Sequence, residues 1–141
     1  MENNGKAYSF LISALITAFS FILMVAIVVS VFASSVETAH HSENKTLALN
    51  LAQGKIGDLQ AEIAAMTPEE GAELVGEEVL AEEEVVIQWK GEDRNFTLKH
   101  SIAGEAQTNG VLLEISVQVW GENLKQEAEQ LLELTTAIYK N

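Results

Sequence analysis

From Ala7 to Val36 thirty residues pass without a charge, bracketed by Lys6 and Glu37. As a helix they would reach about 45 Å, more than the roughly 30 Å hydrocarbon core of a bilayer. Leu11, Ile12, Phe19, Phe21, Ile22, Val28, Val29 and Phe32 suit that solvent, and the polar exceptions are small hydroxyls. Ser9, Ser13, Thr17, Ser20 and Ser30 can bond back to the helix's own carbonyls. The pattern predicts a membrane-inserted helix over 7–36, after a short leader at 1–6. A cleaved secretory signal fits less well: the run is about twice the usual apolar length. Ala33-Ser34-Ser35-Val36 does offer small residues to a signal peptidase, but an uncleaved or specially processed anchor fits better.

Past Glu37 the helix is predicted to continue as an amphipathic extension over 37–66. Leu49, Ala52, Ile56, Leu59, Ile63 and Met66 recur at alternating steps of three and four. That spacing makes a stripe able to pack on one surface. Thr67-Pro68-Glu69-Glu70 then reads as a stop and a restart. Pro68 suits a first helical position, with Thr67 and Glu70 in capping-box spacing. A short acidic helix is expected to run to about Leu80. From Glu84 the period becomes two: Val85, Ile87 and Trp89, then Phe96, Leu98, His100 and Ile102. Leu113, Ile115, Val117 and Val119 follow, and last Leu132, Leu134, Thr136 and Ile138. Gly91 to Arg94 and Asn109-Gly110 are the expected turns. Four short-linked strands with one apolar face argue an antiparallel sheet, and the stripe is the natural cover for it. The expected fold class is α+β, with 67–141 packed on 37–66 as one extracytoplasmic domain.

Charge changes the picture of partners. The net charge is −13, and residues 37–141 hold twenty acids against seven bases. Such a surface disfavours direct nucleic-acid binding, which needs clustered Lys and Arg. Lys6 precedes the span and acids follow it, so the positive-inside rule places the N-terminus in the cytoplasm and the domain outside. No cysteine exists to form a disulfide or a thiolate ligand.

Candidate chemistry is sparse. His40 and His41 with Glu43 is the one grouping with metal-ligand residue types. Adjacent helical histidines diverge by about 100°, which suits a shared ion poorly. His100 alternates with core residues and reads as a partly buried structural histidine. Trp89 and Trp120 read as core or sheet-surface packing, with a partner contact as the alternative. Eight glutamates between Glu69 and Glu84 read as a solvated face, with a cation or basic partner as the alternative. Asn44-Lys45-Thr46 and Asn95-Phe96-Thr97 match the N-glycosylation pattern, which also arises by chance. Nothing groups Ser, His and Asp for catalysis, so neither enzyme activity, a cofactor nor a small-molecule substrate is expected.

The whole arrangement resembles type IV pilin-like proteins, the minor pilins and I-type pseudopilins. Leu51-Ala52-Gln53-Gly54-Lys55-Ile56-Gly57-Asp58-Leu59 is similar to a segment late in their N-terminal helix. Val117-Gln118-Val119-Trp120 and Leu134-Thr135-Thr136 are similar to their last two strands. The resemblance implies a structural subunit of a pilus, secretion or DNA-uptake apparatus. It would assemble through residues 7–36 with other pilin-like subunits or with assembly-platform proteins. It also implies leader processing between Ala7 and Tyr8 or, in the alternative register, between Gly5 and Lys6. In the first register Ile12 stands where the family carries a glutamate, and in the second Phe10 does. A subunit without that carboxylate is implied not to dock by pairing it with a neighbour's N-terminal amine, as in tip pseudopilins. The alternative is a single-pass membrane protein, unassembled, whose outer domain binds a protein partner.

Overall fold

The uncharged run and the striped segment after it form one helix, α1 (Glu2–Ala65). The computed structural model describes residues 2–124 and 126–140, with side chains from Tyr8 onward. Pro68 opens α2 (Pro68–Glu73), and four strands complete the chain: β1 (Glu78–Trp89), β2 (Glu92–Gln107), β3 (Gly110–Glu122) and β4 (Ala128–Lys140). The fold class is α+β, a long N-terminal helix packed on a four-stranded antiparallel sheet. Two compact units divide the chain, Met1–Ala39 and His40–Asn141.

The second unit is a meander in the order β1-β2-β3-β4. Leu98 lies opposite Val119, which lies opposite Leu132, and Ile102 lies opposite Ile115. These positions share the inner face, and Leu113, Ile115, Val117 and Val119 are fully shielded on it. Residues 40–65 of α1 cover that face. Ala48, Ala52 and Ile63 are completely buried there, and Leu47 and Leu59 nearly so. The two alanines let the helix backbone approach the sheet closely.

Several expectations need correction. Leu49 is 37% exposed and is not among the buried positions. The buried face at this end centres on Asn44, Leu47 and Ala48 instead, and Leu49 stands about 100° beyond Ala48. Of the other stripe positions, Ala52, Leu59 and Ile63 are buried, while Ile56 and Met66 are partly buried against the core.

The acidic helix is shorter than expected, ending at Glu73 rather than near Leu80. Its start has the capping box, with Glu70 N donating to Thr67 Oγ1 and Thr67 N donating to Glu70 Oε2. Gly76, at φ 83°, then turns the chain, and its N–H donates to the Gly104 carbonyl at 3.2 Å. From Glu78 the backbone pairs with β2, so Glu78, Glu82, Glu83 and Glu84 all lie on a strand. This is an edge strand, and its charges hinder another chain from adding to the sheet.

The turns also fall elsewhere. Trp89 pairs with Glu92, so the first hairpin turns on Lys90-Gly91, with φ of 53° and 85°. Two positive φ values make a type I′ turn, the form that matches strand twist. The next hairpin turns on Thr108-Asn109, because Gly110 already pairs with Gln107 as the first residue of β3.

In β4 a bulge sets Leu132 opposite Val119 but Gln130 opposite Trp120. The extra residue, Leu131, is buried, and the period-two pattern had not placed it inside. Gly121 makes its room: a Cβ there would lie 2.6 Å from Leu131 Cδ1.

Candidate membrane and assembly surface

In the first unit the apolar side chains point outward on every side. Tyr8, Phe10, Leu15, Met24 and Phe32 are each at least 66% exposed, and even Val25, the most shielded of the run's large apolar side chains, is 45% exposed. Among the described residues, this is the one helix long and apolar enough to cross a membrane. Its hydroxyls do not spoil it. Thr17 Oγ1 donates to the Ser13 carbonyl and Ser35 Oγ to that of Val31, each at 2.8 Å. Such back-bonding hides a polar group that hydrocarbon would penalise. Ile12 is 58% exposed in this apolar surface. Gly5, Lys6 and Ala7, the processing candidates beside Tyr8, lie outside the residues whose side chains are described.

In the second unit polar contacts fasten the helix to the sheet at three levels. At one end Asn44, only 4% exposed, joins two strands. Its Nδ2 donates to the Glu122 carbonyl at 3.2 Å, and its Oδ1 accepts from Arg94 Nη1. Arg94 Nη2 also donates to Glu43 Oε2 at 3.1 Å, and Lys90 pairs with the other oxygen of Glu43. Midway, Lys55 meets Glu83 of β1 at 2.9 Å. At the far end Lys140 Nζ donates to the carbonyls of Ile63 and Ala64, at 2.8 and 3.0 Å. Both carbonyls lie in the last turn of the helix, where that of Ile63 also accepts from Met66 N at 3.2 Å. The sequence pattern does not reveal that Asn44, Arg94 and Lys140 fasten the helix to the sheet. One signal existed: Arg94 is the only arginine in the chain.

The histidines fall into separate settings. His40 Nδ1 faces Asn44 Nδ2 at 3.5 Å, and His41 Nδ1 lies 3.8 Å from Glu129. With Glu43 committed to Lys90 and Arg94, the three do not converge. Among the described residues no three His, Asp or Glu side chains are grouped to hold a metal ion. A cleft of about 210 Å³ opens beside His40, Asn44, Arg94 and Glu122. It combines a partly buried guanidinium with several carboxylates and presents no single charge to a ligand. Trp89 packs against the core, while Trp120 lies on the outer face with the Lys99 ammonium 5.9 Å from its ring centre.

His100 is partly buried on the inner face, and its Nδ1 has no hydrogen-bond partner among the described residues. Desolvation pushes its pKa below 6.5, helped by Lys55 and opposed by Glu83 and Glu62. The unfolded chain therefore takes up this proton at a higher pH than the folded one. Stability from this site is present above about pH 6.5 and falls as pH drops toward the folded pKa. Carboxylates act lower down. Bonds from Lys90 to Glu43, from Thr67 to Glu70 and from Lys55 to Glu83 hold these groups below 4.5. Their contribution is present above that value and is lost as pH falls through the folded pKa values. Denaturant melts followed by tryptophan fluorescence should show two stages of weakening on acidification. His100→Leu should remove the upper stage and leave the lower. An unchanged upper stage would assign it to another group.

No protein-family model matches the chain, and no curated protein or solved structure matches it either.

Proposed function

We propose that the chain is a non-catalytic, pilin-like structural subunit of the minor pilin or pseudopilin kind. It assembles through residues 7–36 with other pilin-like subunits or assembly-platform proteins of a pilus, type II secretion or DNA-uptake apparatus. The observation that carries this reading is the apolar helical surface from Tyr8 to Val36, exposed on every side. Such a surface needs lipid or other helices around it. The sheet-covering part of α1 supports the same reading, since one helix supplies both an anchor and the core of a small domain. Charge sets the orientation: Lys6 on the cytoplasmic side, the acidic domain outside.

Ile12 shapes the kind of subunit. An isoleucine there enters a helix bundle through packing alone, with neither the attraction nor the desolvation cost of a buried carboxylate. Such a chain suits a minor or end position better than a repeating filament body. Alkaline phosphatase fused after Asn141 should be active, and a cytoplasmic reporter there silent. In sheared filaments, quantitative mass spectrometry should find this chain well below a glutamate-bearing major subunit. Dominance in the filament would refute the minor role. Recovery only from membranes, full length from Met1, would favour a single-pass membrane protein whose extracytoplasmic domain binds a protein.

A further inference from the structure

Two segments carry the Asn-X-Thr pattern, and the fold separates them sharply. Asn44 is 4% exposed, and both ends of its amide are engaged, by the Glu122 carbonyl and by Arg94. A sugar on its Nδ2 would displace the bond to Glu122 and so break the buried contact. Asn95 is exposed, and nothing among the described residues bonds to its side chain. Phe96 turns inward and is 2% exposed, so its neighbours Asn95 and Thr97 point together to the outer face. Asn95 pairs with Val86 of β1, and the pairing of β2 with β3 begins only at Phe96, so the acceptor stands at the end of that ladder. Val86, 62% exposed, gives a first sugar ring an apolar surface to lie against.

We infer that Asn95 is an acceptor for an N-linked oligosaccharide and that Asn44 is not. This rests on the extracytoplasmic placement proposed above. The donor is an oligosaccharide joined through its anomeric carbon to a lipid pyrophosphate. The amide nitrogen of Asn95 forms a bond to that carbon as the carbon–oxygen bond to phosphate breaks. The lipid pyrophosphate leaves with the electron pair, the amide gives up one proton, and nothing is oxidised or reduced. The product is a bulky, solvated group on the outer face, opposite the side covered by residues 40–65.

The test uses the full chain in a cell that N-glycosylates exported proteins. An exported acceptor protein made alongside, and found modified, shows that the machinery is working. Peptide mass mapping should find a glycan on the Asn95 peptide and none on the Asn44 peptide. Asn95→Gln and Thr97→Ala should each abolish the added mass, whereas Thr97→Ser should keep it. An unmodified Asn95 peptide beside a modified control protein overturns the inference, as does a glycan on Asn44 of the folded protein. External protease on spheroplasts separates the two levels. A digested domain with bare Asn95 overturns the acceptor alone, and a protected domain overturns the outward placement with it.

Discussion

Leu59→Ala lowers the unfolding free energy of the sheet-bearing unit by about 2–5 kcal/mol, while Gln53→Ala changes it by less than about 0.5 kcal/mol. Leu59 is 5% exposed and belongs to the continuous core with Leu98, Val117 and Val119. Truncating it removes apolar burial and leaves a cavity that a rigid helix on a hydrogen-bonded sheet closes poorly. Gln53 is exposed on the same helix. The measurement is denaturant unfolding of the full chain in detergent, read by Trp89 and Trp120. Equal effects at the two positions would mean that the helix is not packed on the sheet as described.

What residues alone could reveal depended on how many faces of an element are buried. β3 is central and packed on one side, so Leu113, Ile115, Val117 and Val119 alternate cleanly and are legible as a strand. The start of β1 has neither face buried. Glu82-Glu83-Glu84 carries no alternation, and a glutamate run after Pro68 reads naturally as helix. The bulge at Leu131 was hidden for a different reason. It inserts one residue, and period-two reasoning can follow only an unbroken ladder. In α1 the regular three–four stripe led to Leu49, whereas the buried face there centres on Asn44, Leu47 and Ala48.

The candidate membrane span was legible because hydrocarbon would impose a single demand over thirty residues. A surface for the proposed assembly is less so. Every side of the helix from Tyr8 to Val36 is apolar and exposed, so no face singles itself out for a partner. The polar fastenings lay beyond sequence patterns altogether. Glu43 and Asn44 stand some fifty residues from Arg94, and Ile63 more than seventy from Lys140. Only the folded register brings such pairs together.

The Asn44 contact is where one polar substitution should cost most. Asn44→Ala leaves Arg94 Nη1 and the Glu122 carbonyl without this partner, at about 1–3 kcal/mol for each group that stays buried and unpaired. Arg94 keeps Glu43, so its charge is not left alone, and the loss stays below that of removing a whole ion pair. Asn44→Asp should separate the two bonds. Its carboxylate can still accept from Arg94, now with both partners charged. It cannot donate to Glu122, whose carbonyl oxygen then faces a second acceptor. The expected order of stability is wild type, then Asn44→Asp, then Asn44→Ala, read from the same unfolding curves near neutral pH. Glu43→Gln should weaken the site least, because Glu43 is 31% exposed and water can replace part of what it supplies. If Asn44→Ala proved as mild as Glu43→Gln, the buried amide would not be the tie between α1, β2 and β3 that its geometry describes.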